Sequence, residues 1–397
     1  MSNPHRYLPP EILDCIVDLL HDQQKSLKRC CLVSKSWVPR TRKHLFANIQ
    51  FRSPSELESW EKTFPDVTNS PAHYARTLLV GHPRLITASG AEEGGWIRAF
   101  SRVRSLEVDN GNRYLRALDV SLAPFHNFSP TLKSLRVGPA LFPYLGLLNL
   151  ICSFPLLEDL NLKGHDDIWS SDADPHGPQT VTPSTSPALT GSLDFHVCGG
   201  GGRTVRQLLT LPNGLHFRQL ALSWDDKADL WWIAELVVRC SHSLETLDVT
   251  RTFRRTFIRI CVRNDSLPFP VRSVPNSFDL SKATKLQDLV FRPESQAVKW
   301  ITMTLQTITH EHQDLRHISI YVPRYLAPSD PDIREFLGET TSREWSDLDN
   351  LLVQLWELYL IPPRVGFVKQ AEGGQDMEHL IGYFFPEITG RGIVVPV

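Results

Sequence analysis

The sequence predicts an α/β chain in two parts, a short helical unit over residues 1–46 followed by an irregular solenoid with a parallel sheet over residues 47–397. Three observations predict it. Leu8 to Trp37 spends about half its positions on apolar residues, in a stretch too short to enclose a core of its own. A phrase of the form apolar-x-x-Leu-x-apolar then returns nine times. Between its returns lie segments whose apolar residues recur at helical spacing.

In the first part, Pro9 and Pro10 suit an opening helical turn, where a missing N–H costs nothing, so a helix is expected from about Pro9. Leu8, Pro9, Ile12, Leu13, Ile16, Val17, Leu19 and Leu20 spread over roughly half its circumference, wider than the ~100° stripe that faces a single core. The helix therefore has two surfaces to cover. His21 to Gln24 break the pattern, and Ser26–Val33 and Ser34–Phe46 read as two further short helices. A unit of this size is marginal alone, and each large side chain left in water forgoes about 1.5–3 kcal/mol. The excess is expected to dock on something.

Leu-Pro-x-Glu-Ile-Leu at Leu8–Leu13, Ile16 one turn on, Leu27 opening the second helix and Leu-Val-Ser-x-x-Trp at Leu32–Trp37 together resemble the F-box motif. The resemblance covers residues 8–46. It implies binding to a Skp-type adaptor and, through that adaptor, to a cullin ubiquitin ligase. Carried over position by position, it implies an adaptor-facing set of Leu8, Pro9, Ile12, Leu13, Ile16, Leu27, Cys31, Val33 and Trp37. The motif often ends in a second Trp, and the nearest match here is Phe46. The rival reading is an interaction scaffold with no ligase link, whose N-terminal helices pack on the rest of the same chain.

Ser53-Pro54-Ser55-Glu56 has the form of a capping box and predicts a helix through Trp60 to about Phe64. The repeated phrase centres on Leu78, Leu106, Leu135, Leu160, Leu193, Leu220, Leu247, Leu289 and Ile318, at spacings of 28, 29, 25, 33, 27, 27, 42 and 29 residues. Its closing alternation of apolar and polar residues predicts a short strand with one buried face. Helices are expected at Trp96–Val103, Leu141–Phe154, Val205–Leu211, Leu230–Cys240 and Val298–Ile308. A strand and helix in under 30 residues allows parallel strands with returning helices outside, and stacking such units gives a solenoid. An ordinary doubly wound sheet is the alternative.

The repeat resembles a leucine-rich repeat array, without the turn Asn or Cys of that family: Gly111, His165 and Thr252 stand at such places. A long helix ending near Trp356, the strand in "LYLIPPRVGFV" and a helix around Met377–Phe385 are expected to cap the naked face of the last repeat. With its "PEITGRGIVV" ending, the chain resembles the fungal group of F-box proteins with degenerate leucine-rich repeats.

With 42 Lys and Arg against 44 Asp and Glu, the formal charge is only -2, which argues against a general nucleic-acid binder. Lys25, Lys28, Arg29, Lys35, Arg40, Arg42 and Lys43 nevertheless follow Asp22 with no acidic residue before Glu56, a solvated face or one that steers an acidic partner. Seven cysteines show no C-x-x-C pair, the first residues do not read as a secretory signal, and no run of about 18 apolar residues occurs. The expectation is a chain of the cytoplasm or nucleus that spans no membrane.

Residues 166–189, rich in Ser, Thr, Pro and Asp, read as a mobile loop. "GGGGRT" at Gly199–Thr204 lacks the Lys-Ser/Thr of a phosphate loop, and His310-Glu311-His312 lacks the spacing of His-Glu-x-x-His, so a turn and a polar helix end are expected there. No catalytic motif and no cofactor site is expected. The candidates for holding an unknown protein target are Arg251, Arg254, Arg255 and Arg259, whose guanidinium groups suit carboxylate or phosphate, and the exposed strand face carrying Arg136, His317 and Tyr321.

Overall fold

Every centre of the repeated phrase falls on a strand, and each strand pairs in parallel with a sequence neighbour in its own part of the chain. The structure, a computed structural model, describes residues 9–81, 96–109, 125, 128, 130–138, 144–165, 187–197, 202–224, 230–251, 277–292, 298–321, 338–358, 364–366 and 385–392. Two compact units divide the chain, Met1–Leu157 with Ser184–Pro187, and Glu158–Pro183 with Ala188–Val397.

In the first unit, α1 (Pro10–Leu19), α2 (Gln24–Val33) and α3 (Val38–Leu45) precede four strands: β1 (Asn48–Phe51), β2 (Thr77–Val80), β3 (Ser105–Val108) and β4 (Ser134–Val137). These lie in sequence order, and Leu78, Leu106 and Leu135 occupy one register row. Their inward residues are buried while the alternate positions are half-exposed. β1 was not expected, although Phe46-Ala47-Asn48-Ile49-Gln50-Phe51 has the form of the phrase with Ile49 in the Leu place, as Ile318 is in β10, and Ile49 and Phe51 alternate inward as its period requires.

The capping box forms with one difference. Ser53 Oγ accepts the Glu56 N–H at 3.4 Å and starts α4 (Pro54–Thr63), but the Glu56 carboxylate accepts from Arg52 N–H at 2.7 Å, one residue outside the cap. It thereby also satisfies the backbone where β1 ends. Phe46, Phe51, Trp60, Phe64, Trp96 and Phe100 form a connected aromatic cluster, with ring centroids 4.7–6.1 Å apart and mostly edge-to-face. Phe46, read from sequence as the end of the helical motif, thus packs on Trp60 and Phe64, and Trp60 in turn meets Phe51 of β1.

In the second unit, β5 (Asp159–His165), β6 (Ser192–Val197), β7 (Gln219–Trp224), β8 (Thr246–Arg251), β9 (Asp288–Arg292), β10 (His317–Ile320) and β11 (Arg364–Gly366) again follow sequence order. In neither unit does the order reverse, as it would at the switch point of a doubly wound sheet. Four helices follow strands here: α6 (Gly202–Leu208), α7 (Leu230–Cys240), α8 (Val298–Leu305) and α9 (Gly338–Leu358); α5 (Tyr144–Cys152) lies in the first unit. The segment expected as a helix from Trp96 is a 3-10 turn over Trp96–Phe100.

On the segments that lead into the strands, hydroxyls and one histidine reach back to the preceding repeat. Thr131 Oγ1 donates to Val103 O at 2.7 Å, and Ser243 Oγ to Phe217 O at 3.1 Å. Thr304 Oγ1 accepts Phe278 N–H at 3.1 Å, and Thr307 Oγ1 accepts Leu280 N–H at 2.9 Å. His312, expected at a polar helix end, is instead buried beyond α8, its Nε2–H donating to Leu280 O at 2.9 Å. Each device supplies a partner that a buried peptide group would otherwise lack.

Two expectations about loops need correction or fall outside the description. The interval 166–189 does not read as loop to its end, because Leu189 is buried and bridges Leu215 in parallel; residues 166–186 lie outside the described residues. At Gly191 only hydrogen fits, since a Cβ would lie 2.9 Å from Glu158 O, the atom that accepts the Gly191 N–H. The helix expected at Met377–Phe385 lies outside the described residues except for Phe385. The described closing helix is α10 (Pro386–Gly390), whose Glu387 and Ile388 N–H groups are held by the buried Asp349 carboxylate of α9 at 2.8 and 3.1 Å. Burial raises the Asp349 pKa above its ordinary value, with those two bonds opposing the shift.

Candidate functional site

The three N-terminal helices own a small core and carry apolar residues outside it. Pro9 O accepts the Ile12 and Leu13 N–H groups at 3.0 and 3.2 Å, so α1 starts where the prolines lose no bond. Val17 and Leu27 are buried, as are Cys30 and Thr41, whose hydroxyl donates to Trp37 O at 2.7 Å. Around α1, Leu13, Val17 and Leu20 form the inward stripe, and Ile12, Ile16 and Leu19 form a second stripe beside it. The second stripe meets solvent: Ile12 is 47 % exposed, Ile16 38 % and Leu19 80 %. On α2, Leu32 and Val33 are 88 % and 68 % exposed.

A polar clip fixes this arrangement. The Asp18 carboxylate of α1 accepts from Arg40 of α3 through both oxygens, Arg40 Nε lying 2.7 Å from Oδ1, and from His44 Nε2 at 2.7 Å. The Arg40 and His44 hydrogen bonds hold the Asp18 carboxyl well below the usual carboxylate range, and Asp18 in turn raises Arg40. The clip sets the angle at which α1 presents its outer stripe.

The resemblance-based set is therefore sorted by the fold. Pro9, Ile12, Ile16 and Val33 are exposed, and Leu13, Cys31 and Trp37 are half-buried. Leu27 needs correction: it is fully buried within the helical unit, one turn from Cys30 on the inward face of α2, and has no surface to offer a partner. Leu8 lies outside the described residues. Leu19 and Leu32 are exposed residues that the adaptor-facing set left out, although Leu32 opens the second half of the motif; their angular positions on α1 and α2 were the available signal.

The exposed strand faces are internally paired. In the first unit Arg136 Nε lies 3.3 Å from Glu107 Oε1. In the second, Arg292 donates twice to Asp248, at 3.1 and 2.8 Å, and its guanidinium lies 4.1 Å from the centre of the Tyr321 ring. Asp248 raises the Arg292 pKa further. His317 Nδ1 is 2.6 Å from Asp288, and Asn161 donates to Asp194 at 2.6 Å. An anionic target would have to displace these carboxylates from Arg136 and Arg292. Arg251 ends β8, while Arg254, Arg255 and Arg259 lie outside the described residues.

Two cavities among the described residues also bear on the search for a site. One of about 420 Å³ runs along β1 and α4, lined by Phe46, Gln50, Arg52, Glu56, Trp60 and Phe64 among others. The other, of about 290 Å³, is lined by His216, Arg239 and His242, with His216 Nδ1 and His242 Nε2 2.8 Å apart. Among the described residues no group of three or more His, Cys, Asp or Glu is placed to hold a metal ion. The described cysteines are free, and burial pushes the Cys152 thiol up to about 11 and Cys240 to about 12, far from a reactive thiolate. No described helix is long and apolar enough to cross a membrane.

No model of a known protein family matches the chain, and no curated protein matches it. The reading of its function therefore rests on its own residues.

Proposed function

We propose that this protein is a non-catalytic substrate receptor of the F-box type, whose N-terminal helices bind a Skp-type adaptor and whose leucine-rich-repeat-like strands hold a target protein for a cullin ubiquitin ligase. One observation carries the reading: Ile12, Ile16 and Leu19 form an exposed apolar stripe on a helix whose other apolar stripe already fills the core of the unit. A packing-only role for α1 explains the inner stripe and leaves the outer one unexplained. Transfer would then be a matter of proximity, the receptor raising the effective concentration of target lysines near the charged conjugating enzyme.

The scaffold reading requires the same side chains to be covered by the chain itself, and their exposure speaks against it. Ile16→Asp and, separately, Leu19→Asp are expected to abolish co-purification with a Skp-type adaptor while leaving the circular-dichroism spectrum and melting temperature unchanged. Retention of the adaptor by both variants would refute the proposed docking face.

A further inference from the structure

The outer surface of α2 carries a second kind of information, its charge. Lys25, Lys28 and Arg29 surround Leu32 on that surface, all within about 100° of helix circumference. All three cations are exposed, as are Lys35, Arg42 and Lys43 just beyond. Arg40 is neutralised by Asp18, but none of these six has a carboxylate within ion-pair distance among the described residues. No acidic residue stands anywhere between Asp22 and Glu56. Lys25, Lys28 and Arg29, gathered on one helix face without counter-charges among the described residues, repel one another, a cost that an incoming negative surface would relieve.

From this we infer that the partner surface docking on α2 is an acidic protein surface with an apolar centre that receives Leu32. The inference rests on the docking reading proposed above and deepens it by assigning the chemistry of the partner. A protein fits better than a bilayer or a nucleic acid. Those surfaces are negative throughout, whereas α1 presents exposed Glu11 and Asp14 on the same unit. Only a partner with patterned charge can meet α2 with acid and spare the α1 carboxylates.

The test is the association rate of the full chain with a purified Skp-type adaptor at 50 and 500 mM NaCl. The wild-type rate is expected to fall roughly tenfold or more between the two salts, because steering by exposed charges is screened within a few ångströms at high ionic strength. Lys25→Glu/Lys28→Glu/Arg29→Glu is expected to slow association at low salt to about the high-salt rate, and Lys28→Glu alone to do so in part. These positions are solvent-exposed, and circular dichroism checks that the fold persists. Salt-independent association that the reversals leave unchanged would overturn the electrostatic inference while sparing the docking face. Tighter binding to phosphatidylserine vesicles or random-sequence duplex DNA than to the adaptor would overturn it in favour of those partners. Failure of the wild-type chain to bind the adaptor at either salt would overturn both readings together.

Discussion

At the scale of single residues, the helical unit separates side chains that the sequence motif lists together. Leu27 and Ile16 both belong to the motif, but Leu27 is buried and Ile16 is 38 % exposed. Leu27→Ala is therefore expected to cost about 2–5 kcal/mol, read by chemical denaturation of the helical unit, whereas Ile16→Asp leaves stability within error. The Asp18 clip gives a pH signature. Its folded-state pKa is depressed, so its stabilisation is complete above the unfolded carboxylate value of about 3.9 and is lost as pH falls towards the folded value. Its side chain is 39 % exposed and solvent screens the pair, which limits the contribution to about 1 kcal/mol. Denaturation midpoints measured from pH 6 to pH 2.5 are expected to fall more steeply for wild type than for Asp18→Asn. Equal slopes would show that the clip contributes nothing.

At the scale of elements, the strands were legible and the devices joining them were not. A period-2 phrase anchored on Leu identifies nine strands, because the buried face admits only apolar side chains at alternate positions. β1 escaped because the first apolar residue of its phrase, Phe46, reads from sequence as the end of the helical motif, and Ile49 stands in the Leu place. The Trp96 segment has the apolar spacing of a helix but only five residues of 3-10 turn. Local spacing cannot distinguish those two outcomes. The hydroxyl staples escaped for a different reason: Ser and Thr are common on turns, and only the fold shows which of them face an orphaned peptide group. Thr304 is the clearest. It is buried, and Thr304→Val removes the acceptor of the buried Phe278 N–H without changing side-chain volume much. The expected loss is about 1–3 kcal/mol, with faster hydrogen exchange at Phe278. Unchanged exchange would mean that another group takes over the bond.

At the scale of the whole molecule, a nearly neutral chain conceals a local division of charge and polarity. The strand faces pair Arg136 and Arg292 with carboxylates, whereas on the N-terminal helices, apart from Arg40, the cations have no carboxylate partner among the described residues and stand beside exposed apolar residues. That contrast was half legible. The acid-free interval after Asp22 and the excess width of the α1 apolar arc can be read from sequence, but the pairing of Arg136, Arg292 and Arg40 needs the fold. The target-binding residues suggested by the Arg cluster remain a sequence-based proposal, since Arg254, Arg255 and Arg259 lie outside the described residues. The account stands or falls on the outer stripe of α1. Hydrogen exchange of the full chain, measured with and without a saturating Skp-type adaptor, tests it most directly. Slower exchange confined to Pro10–Leu19 and Gln24–Trp37 on adding adaptor is the result predicted. Exchange in those helices that is already slow in the free chain and unchanged by the adaptor would contradict it.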